Sequence, residues 1–248
     1  MPRMARYDGR SGDDLAADLG LSLVATFDVI GSTLDVAHEL AAAGAMGGTL
    51  VLADAQTSGR GRMGRVWRSY PGAGVWLTLI ERPTDVRALD VLSLRVGLAL
   101  ALALDDLADS PVRLKWPNDL YVGDRKLGGI LVEARWREQH PEWVAIGVGI
   151  NVRPPEAERA AGLRAGVSRL EALMRAVPAI RTAAARSGPL SHEELGAFAA
   201  RDMAAGRRCV EPVRGRVRGI DANGALVVDV GCRATLVQAG SLVLQEEQ

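Results

Sequence analysis

Residues 143–152 alternate with a period of two: Val144, Ile146, Val148 and Ile150 fall on one side, Ala145, Gly147, Gly149 and Asn151 on the other. Such alternation fits a strand whose larger side chains enter a core. The second side carries nothing bulkier than asparagine, so another group can approach its backbone closely. Further strand signals at 49–53, 74–80, 112–115, 120–122 and 128–134 predict a central sheet. Ser32 stands as an N-cap before a helix over 33–43, which Gly44 and the Gly47-Gly48 pair stop. Residues 89–107 are apolar nearly all round and predict a long helix buried against the sheet. Residues 153–208 read as Ala/Arg-rich helix, interrupted at Pro178 and at Gly188-Pro189. Short strands then return: 213–220 and 225–230 flank Asp221-Ala222-Asn223-Gly224, a strong hairpin signal, and 234–237 and 242–244 follow. The pattern divides the chain into a loose arm with a short helix (1–26), a main domain (27–205) and a small β domain (206–248).

Charge and composition narrow the class. The 248 residues carry 30 basic and 30 acidic side chains, so no whole-molecule field favours nucleic acid or a membrane surface. An apolar fraction of 48% is too high for a disordered chain. Two cysteines, Cys209 and Cys232, make neither a disulfide framework nor a zinc site, which fits a reduced compartment. The arginines near the start have no apolar segment behind them, and the longest apolar stretch, 96–104, is too short to cross a bilayer. The expectation is a soluble cytoplasmic protein.

Among the basic residues the only lysines are Lys115 and Lys126, within one window of twelve residues. A chain that uses arginine for generic surface charge keeps lysine where a compact ammonium matters. That window reads Lys115-Trp116-Pro117-Asn118-Asp119, then Lys126-Leu127-Gly128-Gly129-Ile130-Leu131. Pro117 fixes a turn, and a strand–turn–strand pair brings Lys126 back beside it, gathering an ammonium, an amide and a carboxylate. Upstream, Gly59, Gly61 and Gly64 satisfy a G-x-G-x-x-G spacing within the run Gln56 to Arg65. A dinucleotide fold needs a helix immediately after that motif, and Val66-Trp67-Arg68-Ser69-Tyr70-Pro71-Gly72 does not open one. Three readings of the loop stay open: a solvated arginine loop, a nucleic-acid contact, and a glycine-hinged lid that closes on phosphate or carboxylate. Gly147-Val148-Gly149-Ile150-Asn151 fits a purine site or a strand squeezed by a neighbouring helix equally well.

Taken in order, Ser32-Thr33, the Gln56 to Arg65 run, Lys115 to Asp119, Lys126 to Leu131 and Gly149-Ile150-Asn151 resemble the biotin protein ligases. The resemblance is strong over 27–152 and weaker to the end. It implies an α+β fold: a mixed sheet with flanking helices, similar to the catalytic domain of class II aminoacyl-tRNA synthetases, plus a small C-terminal SH3-like β-barrel. It implies a two-step ligase in which biotin and ATP give biotinyl-5'-AMP, whose acyl group passes to a lysine of a biotin-carrier domain, such as that of acetyl-CoA carboxylase. By the same resemblance Lys126, Arg62 and Asp119 are catalytic. Ser32, Thr33, Leu34, Gln56, Gly59, Arg60, Gly61, Arg62, Lys126 and Gly129 bind biotin. Arg62, Arg65, Trp67, Lys115, Asn118 and Asn151 bind the nucleotide, and Asp119 holds Mg²⁺ or accepts the acceptor's proton. Residues 58–67 are expected to order over the adenylate.

The chain departs from the family at Leu34, where an asparagine is usual, at Met63, often basic, and at Arg153-Pro154-Pro155-Glu156, which has no aromatic to stack on adenine. Some members carry an N-terminal helix-turn-helix. With 26 residues before Phe27, no DNA binding is expected. A homodimer formed through sheet edges fits the family. The rivals are a lipoate ligase, which shares the adenylation logic but has a different arginine-glycine loop, a nucleic-acid-binding module, and an inactive homologue.

Overall fold

A computed structural model of the chain describes residues 6–154 and 160–245. Seven strands form the central sheet: β1 (Leu23–Ile30), β2 (Thr49–Gln56), β3 (Gly74–Glu81), β4 (Arg113–Lys115), β5 (Asp119–Val122), β6 (Arg125–Arg137) and β7 (His140–Asn151). Their order is β1-β2-β3-β7-β6-β5-β4. Among these strands only β1 and β2 pair in parallel, so the sheet is mixed, as the resemblance implied. The two sides of β7 enter two different apolar clusters, one holding Val144, Ile146, Val148 and Ile150, the other Ala145.

Helices cover both faces. On one lie α1 (Gly12–Leu19), α4 (Leu92–Leu104) and α5 (Arg169–Ala184), and on the other lies α2 (Thr33–Ala42), capped by Ser32 as expected. Leu100 and Leu104 of α4 are wholly buried. Truncating a side chain buried to that degree costs about 2–5 kcal/mol. Two shorter helices, α3 (Arg87–Asp90) and α6 (His192–Ala199), complete the main body.

Three expectations change on inspection. The segment 1–26 is no loose arm in its described part: Tyr7 and Leu15 are fully buried, a Ser11–Asp14 capping box starts α1, and the sheet begins at Leu23, pairing Leu23 with Thr49. The helix expected over 89–107 breaks at Val91 into α3 and α4, where the turn at Gly224 packs against Val91 and Leu94. Gly188-Pro189 does fall in the break between α5 and α6, whereas Pro178 does not interrupt the third region, since α5 runs through it. Val177 and Ile180 on either side are fully buried, and that tertiary packing outweighs the lost backbone hydrogen bond.

The C-terminal strands, β8 (Arg208–Glu211), β9 (Gly215–Ile220), β10 (Leu226–Val230), β11 (Arg233–Val237) and β12 (Val243–Leu244), form one antiparallel sheet in the order β11-β10-β9-β8-β12. Its ladder is open: among the described residues β11 and β12 each have one partner, so a closed barrel is not formed by strand pairing. Trp116 ties this sheet to the body by donating its indole N–H to the Gly224 carbonyl at 2.9 Å.

Candidate active site

The small-residue side of β7 is occupied by the chain itself. A Cβ on Gly149 would stand 2.5 Å from Trp67 Cε2 and Nε1, so only glycine lets the indole lie on the strand. A Cβ on Gly147 would press within 3.1 Å of Leu34 Cδ1. The close approach read from the sequence is therefore made by Trp67 and Leu34. Trp67 packs edge-on to Trp76, with ring centroids 6.3 Å apart, and Lys126 Nζ sits 5.4 Å from its ring. Its indole N–H is buried without a partner among the described residues. That orphaned donor is costly unless something accepts from it.

The Gly-Arg run forms a tight excursion between β2 and β3. Trp67 N–H donates to the Gly59 carbonyl, Gly61 N–H donates to the Arg65 carbonyl, and a 3-10 turn over Arg62–Gly64 makes the tip. Met63 and Gly64 both hold positive φ there, 55° and 73°, which explains a glycine at the second position. The run faces a cavity of about 310 Å³ at the sheet surface beyond the N-terminus of α2. That volume lies at the low end for small-molecule sites.

One part of the cavity lining is a finished polar cluster. Gln56 Oε1 accepts from Thr33 N–H (2.8 Å) and from the Thr33 hydroxyl (3.2 Å), Gln56 Nε2 donates to Ser69 Oγ (2.7 Å), and the Thr78 hydroxyl donates to Thr33 Oγ1 (2.8 Å). Ser32 Oγ accepts from Leu34 N–H, which leaves its own hydroxyl hydrogen to give. Leu34 adds an apolar wall.

A second part of the lining is a cluster of cations. A bulge between β5 and β6 at Leu120/Tyr121 re-aims Lys126, whose Nζ lies 2.7 Å from Asp119 Oδ1. This is the juxtaposition that the turn at Pro117 predicted. Asp119 is the only carboxylate lining the cavity among the described residues. Burial pushes the Lys115 ammonium below the usual lysine range, and Lys126, Arg65 and Arg207 push the same way against the opposing pull of Asp119. Burial likewise lowers Arg62, with Asp119 again opposing. A bound anion would relieve that mutual repulsion. Arg62 Nη1 donates to the Gly240 carbonyl (3.3 Å) and Arg65 Nη2 to Ser241 Oγ (3.0 Å), so the C-terminal sheet closes this part.

Fourteen of the sixteen expected site residues meet at this cavity: Ser32, Thr33, Leu34, Gln56, Arg60 and Gly61 with Arg62, Arg65 and Trp67, then Lys115, Asn118, Asp119, Lys126 and Gly129. Gly59 and Asn151 lie outside its wall: Gly59 serves the loop's close backbone contact, and Asn151 Nδ2 donates to the Lys126 carbonyl at 3.4 Å. Asn118 lines the wall, yet its Nδ2 already donates to the Ile130 carbonyl at 2.6 Å. Ser241 and Leu242 also line it and had no local signal. Pro155 and Glu156, where an adenine-stacking group was sought, lie outside the described residues. Among the described residues no three His, Cys, Asp or Glu side chains gather as a metal site.

Residues 26–151 match the model of the biotin/lipoate A/B protein ligase family, and the chain belongs to that family. More particularly, it is 34% identical over 238 residues to the biotin--[acetyl-CoA-carboxylase] ligase of Mycobacterium tuberculosis, covering 87% of this chain and 88% of that one. It is 45% identical over 126 residues to the bifunctional ligase/repressor BirA of Bacillus subtilis, a match that takes in 50% of this chain and 39% of that relative's length. The chain therefore spans well under half of that relative. In fold it resembles the biotin protein ligase from Aquifex aeolicus in complex with biotin and ATP, with a TM-score of 0.74 over 90% of this chain and 99% of that one, at 24% identity.

Proposed function

We propose that this protein activates biotin with ATP to biotinyl-5'-AMP and transfers the biotinyl group to a lysine of a biotin-carrier domain. The observation that carries the reading is that one cavity is lined both by a hydrogen-bonded neutral cluster and by a group of half-buried cations. Biotin offers the matching groups, a neutral ring and a carboxylate. The Ser32 hydroxyl and the second Nε2 hydrogen of Gln56 orient the ring, with Thr33 holding Gln56 in place. Lys126 and Arg62 hold the carboxylate against the α-phosphate, offsetting the repulsion of two anions, while Arg65 and Lys115 take the phosphates. The carboxylate oxygen forms the new P–O bond and pyrophosphate leaves. A neutral lysine amine then attacks the acyl carbon, AMP leaves, and the amine's proton goes to solvent or to Asp119. The lid over 58–67 keeps water from the mixed anhydride.

The donor set fits Mg²⁺ brought in by ATP. Asp119 is the one carboxylate at hand, and magnesium is ordinarily held by one or two carboxylates with phosphate oxygens and water. When bound, the ion neutralises phosphate charge. In this reading the catalytic body ends near residue 205, and the sheet after it completes the wall through Ser241. A homodimer and a cytoplasmic location complete the proposal. No helix among the described residues is long and apolar enough to cross a membrane.

Incubation with labelled biotin, ATP and a carrier domain tests the proposal, with lipoate as the control. Label on the carrier lysine supports it. Transfer of lipoate alone would replace it with the lipoate reading, and no transfer of either would sink both.

A further inference from the structure

We propose that Glu133, on β6, is a positioning residue that holds the Arg60 guanidinium at the cavity mouth, and that Trp143 and His38 fix Glu133 in turn. Its effect on substrate rests on the biotin reading above, whereas the positioning itself does not. Arg60 Nη2 lies 3.2 Å from Glu133 Oε2 and 3.0 Å from Asp35 Oδ1. The same Glu133 oxygen is 2.9 Å from His38 Nε2, and Trp143 Nε1 is 3.0 Å from His38 Nδ1.

An indole N–H only donates, so His38 Nδ1 accepts and carries no hydrogen. His38 Nε2 then carries the hydrogen and donates it to Glu133. The tautomer of a helix residue is thereby set from β7, and a neutral imidazole suffices. Glu133 receives from two sides: His38 steers its carboxylate, and the carboxylate steers Arg60. Asp35 contributes less because its side chain is 55% exposed, against 31% for Glu133.

Arg60 needs such a hold because Gly59 and Gly61 flank it, and glycine gives the backbone the widest freedom. The hydrogen bond from Arg60 to Glu133 leaves from Nη2, which is also the nitrogen nearest Asp35. A guanidinium has five N–H donors, so Nη1 and Nε remain for a ligand carboxylate. Arg60 lines the cavity while Glu133, His38 and Trp143 do not, so those three act through it.

Trypsin reads this contact without any substrate, since the loop offers Arg60, Arg62 and Arg65 for cleavage. In Glu133→Ala, nicking within 60–65 should speed up about fivefold, the scale of a partly exposed ion-pair network, and Glu133→Gln, which keeps an acceptor oxygen, should restore most of the resistance. The biotin KM for adenylate formation should rise by the same factor, with the ATP KM and kcat within twofold of the parent. Adding Glu133→Ala to Arg60→Ala should cause no further change. Unchanged nicking in Glu133→Ala, additive effects in the double variant, or equal rises in both KM values would overturn the proposal. If the parent protein forms no adenylate, the biotin reading fails while the trypsin result still decides the role of Glu133.

Discussion

Two ion pairs of nearly equal length have opposite surroundings. Arg95 on α4 meets Glu194 on α6 at 2.7 Å with side chains only 3% and 7% exposed, whereas Lys126 meets Asp119 at the same distance with 34% and 20% exposed. The first pair is walled in by protein groups. Arg95 also donates to the carbonyls of Gly188 and Pro189, and Glu194 receives the Ser191 N–H and the Arg186 guanidinium. It closes the chain's return from α5 into α6, and the Arg95 nitrogen left without a partner among the described residues, Nη1, is buried out of a ligand's reach. The second pair is outnumbered: one carboxylate faces Lys126, Lys115 and Arg62, so positive charge remains in excess where the wall is open. Distance alone does not tell a structural pair from a working one. The balance of charge and the access of solvent do.

Substitutions can break this contrast. Arg95→Ala should cost about 3–5 kcal/mol in urea unfolding, because it strands a buried carboxylate, yet leave activity per folded molecule near normal. Lys126→Ala should do the reverse. Adenylate formation should fall ~10²–10³-fold, the scale of one lost electrostatic stabiliser, while the melting temperature moves by only a few degrees. Near-normal adenylate formation in that variant would erase the distinction.

Acid sharpens it further. Burial works to raise the Glu194 carboxyl, but hydrogen bonds from Arg95 and the Ser191 N–H prevail and hold its pKa to about 2. A carboxyl held below its unfolded value stabilises fully above that value and loses the contribution as pH falls through 2. The stability gap between the parent and Glu194→Gln should therefore be roughly 3 kcal/mol near neutrality and close between about pH 5 and 2. At the open site the sign is opposite. Lys115 is lowered by burial, so ATP affinity should weaken severalfold with rising pH before an ordinary lysine would titrate, and Lys115→Arg should flatten that profile. Calorimetric titration of ATP across alkaline pH measures it.

Much of this was legible locally. The alternation of 143–152, the cap at Ser32 and the turn at Pro117 each rest on neighbours in sequence, and each gave the observed element or juxtaposition. What stayed hidden depends on distant partners. Gly149 announced a close approach, but Trp67 as the occupant is a tertiary fact. Arg95 is a single charge inside an apolar helix, and its partner lies 99 residues away. Helix α5 passes through Pro178 because burial around it overrides a local rule. Ser241 reaches the cavity only because the C-terminal sheet docks there, which no nearby pattern foretold.

The Gly-Arg excursion is moored on two banks, by Arg60 to α2 and β6 and by Arg62 and Arg65 to the turn before β12. Like a rope bridge, it keeps its shape only while both anchorages hold their spacing. A shift of the C-terminal sheet against the main body would slacken or stretch the span above the cavity, although no residue inside the cavity had changed.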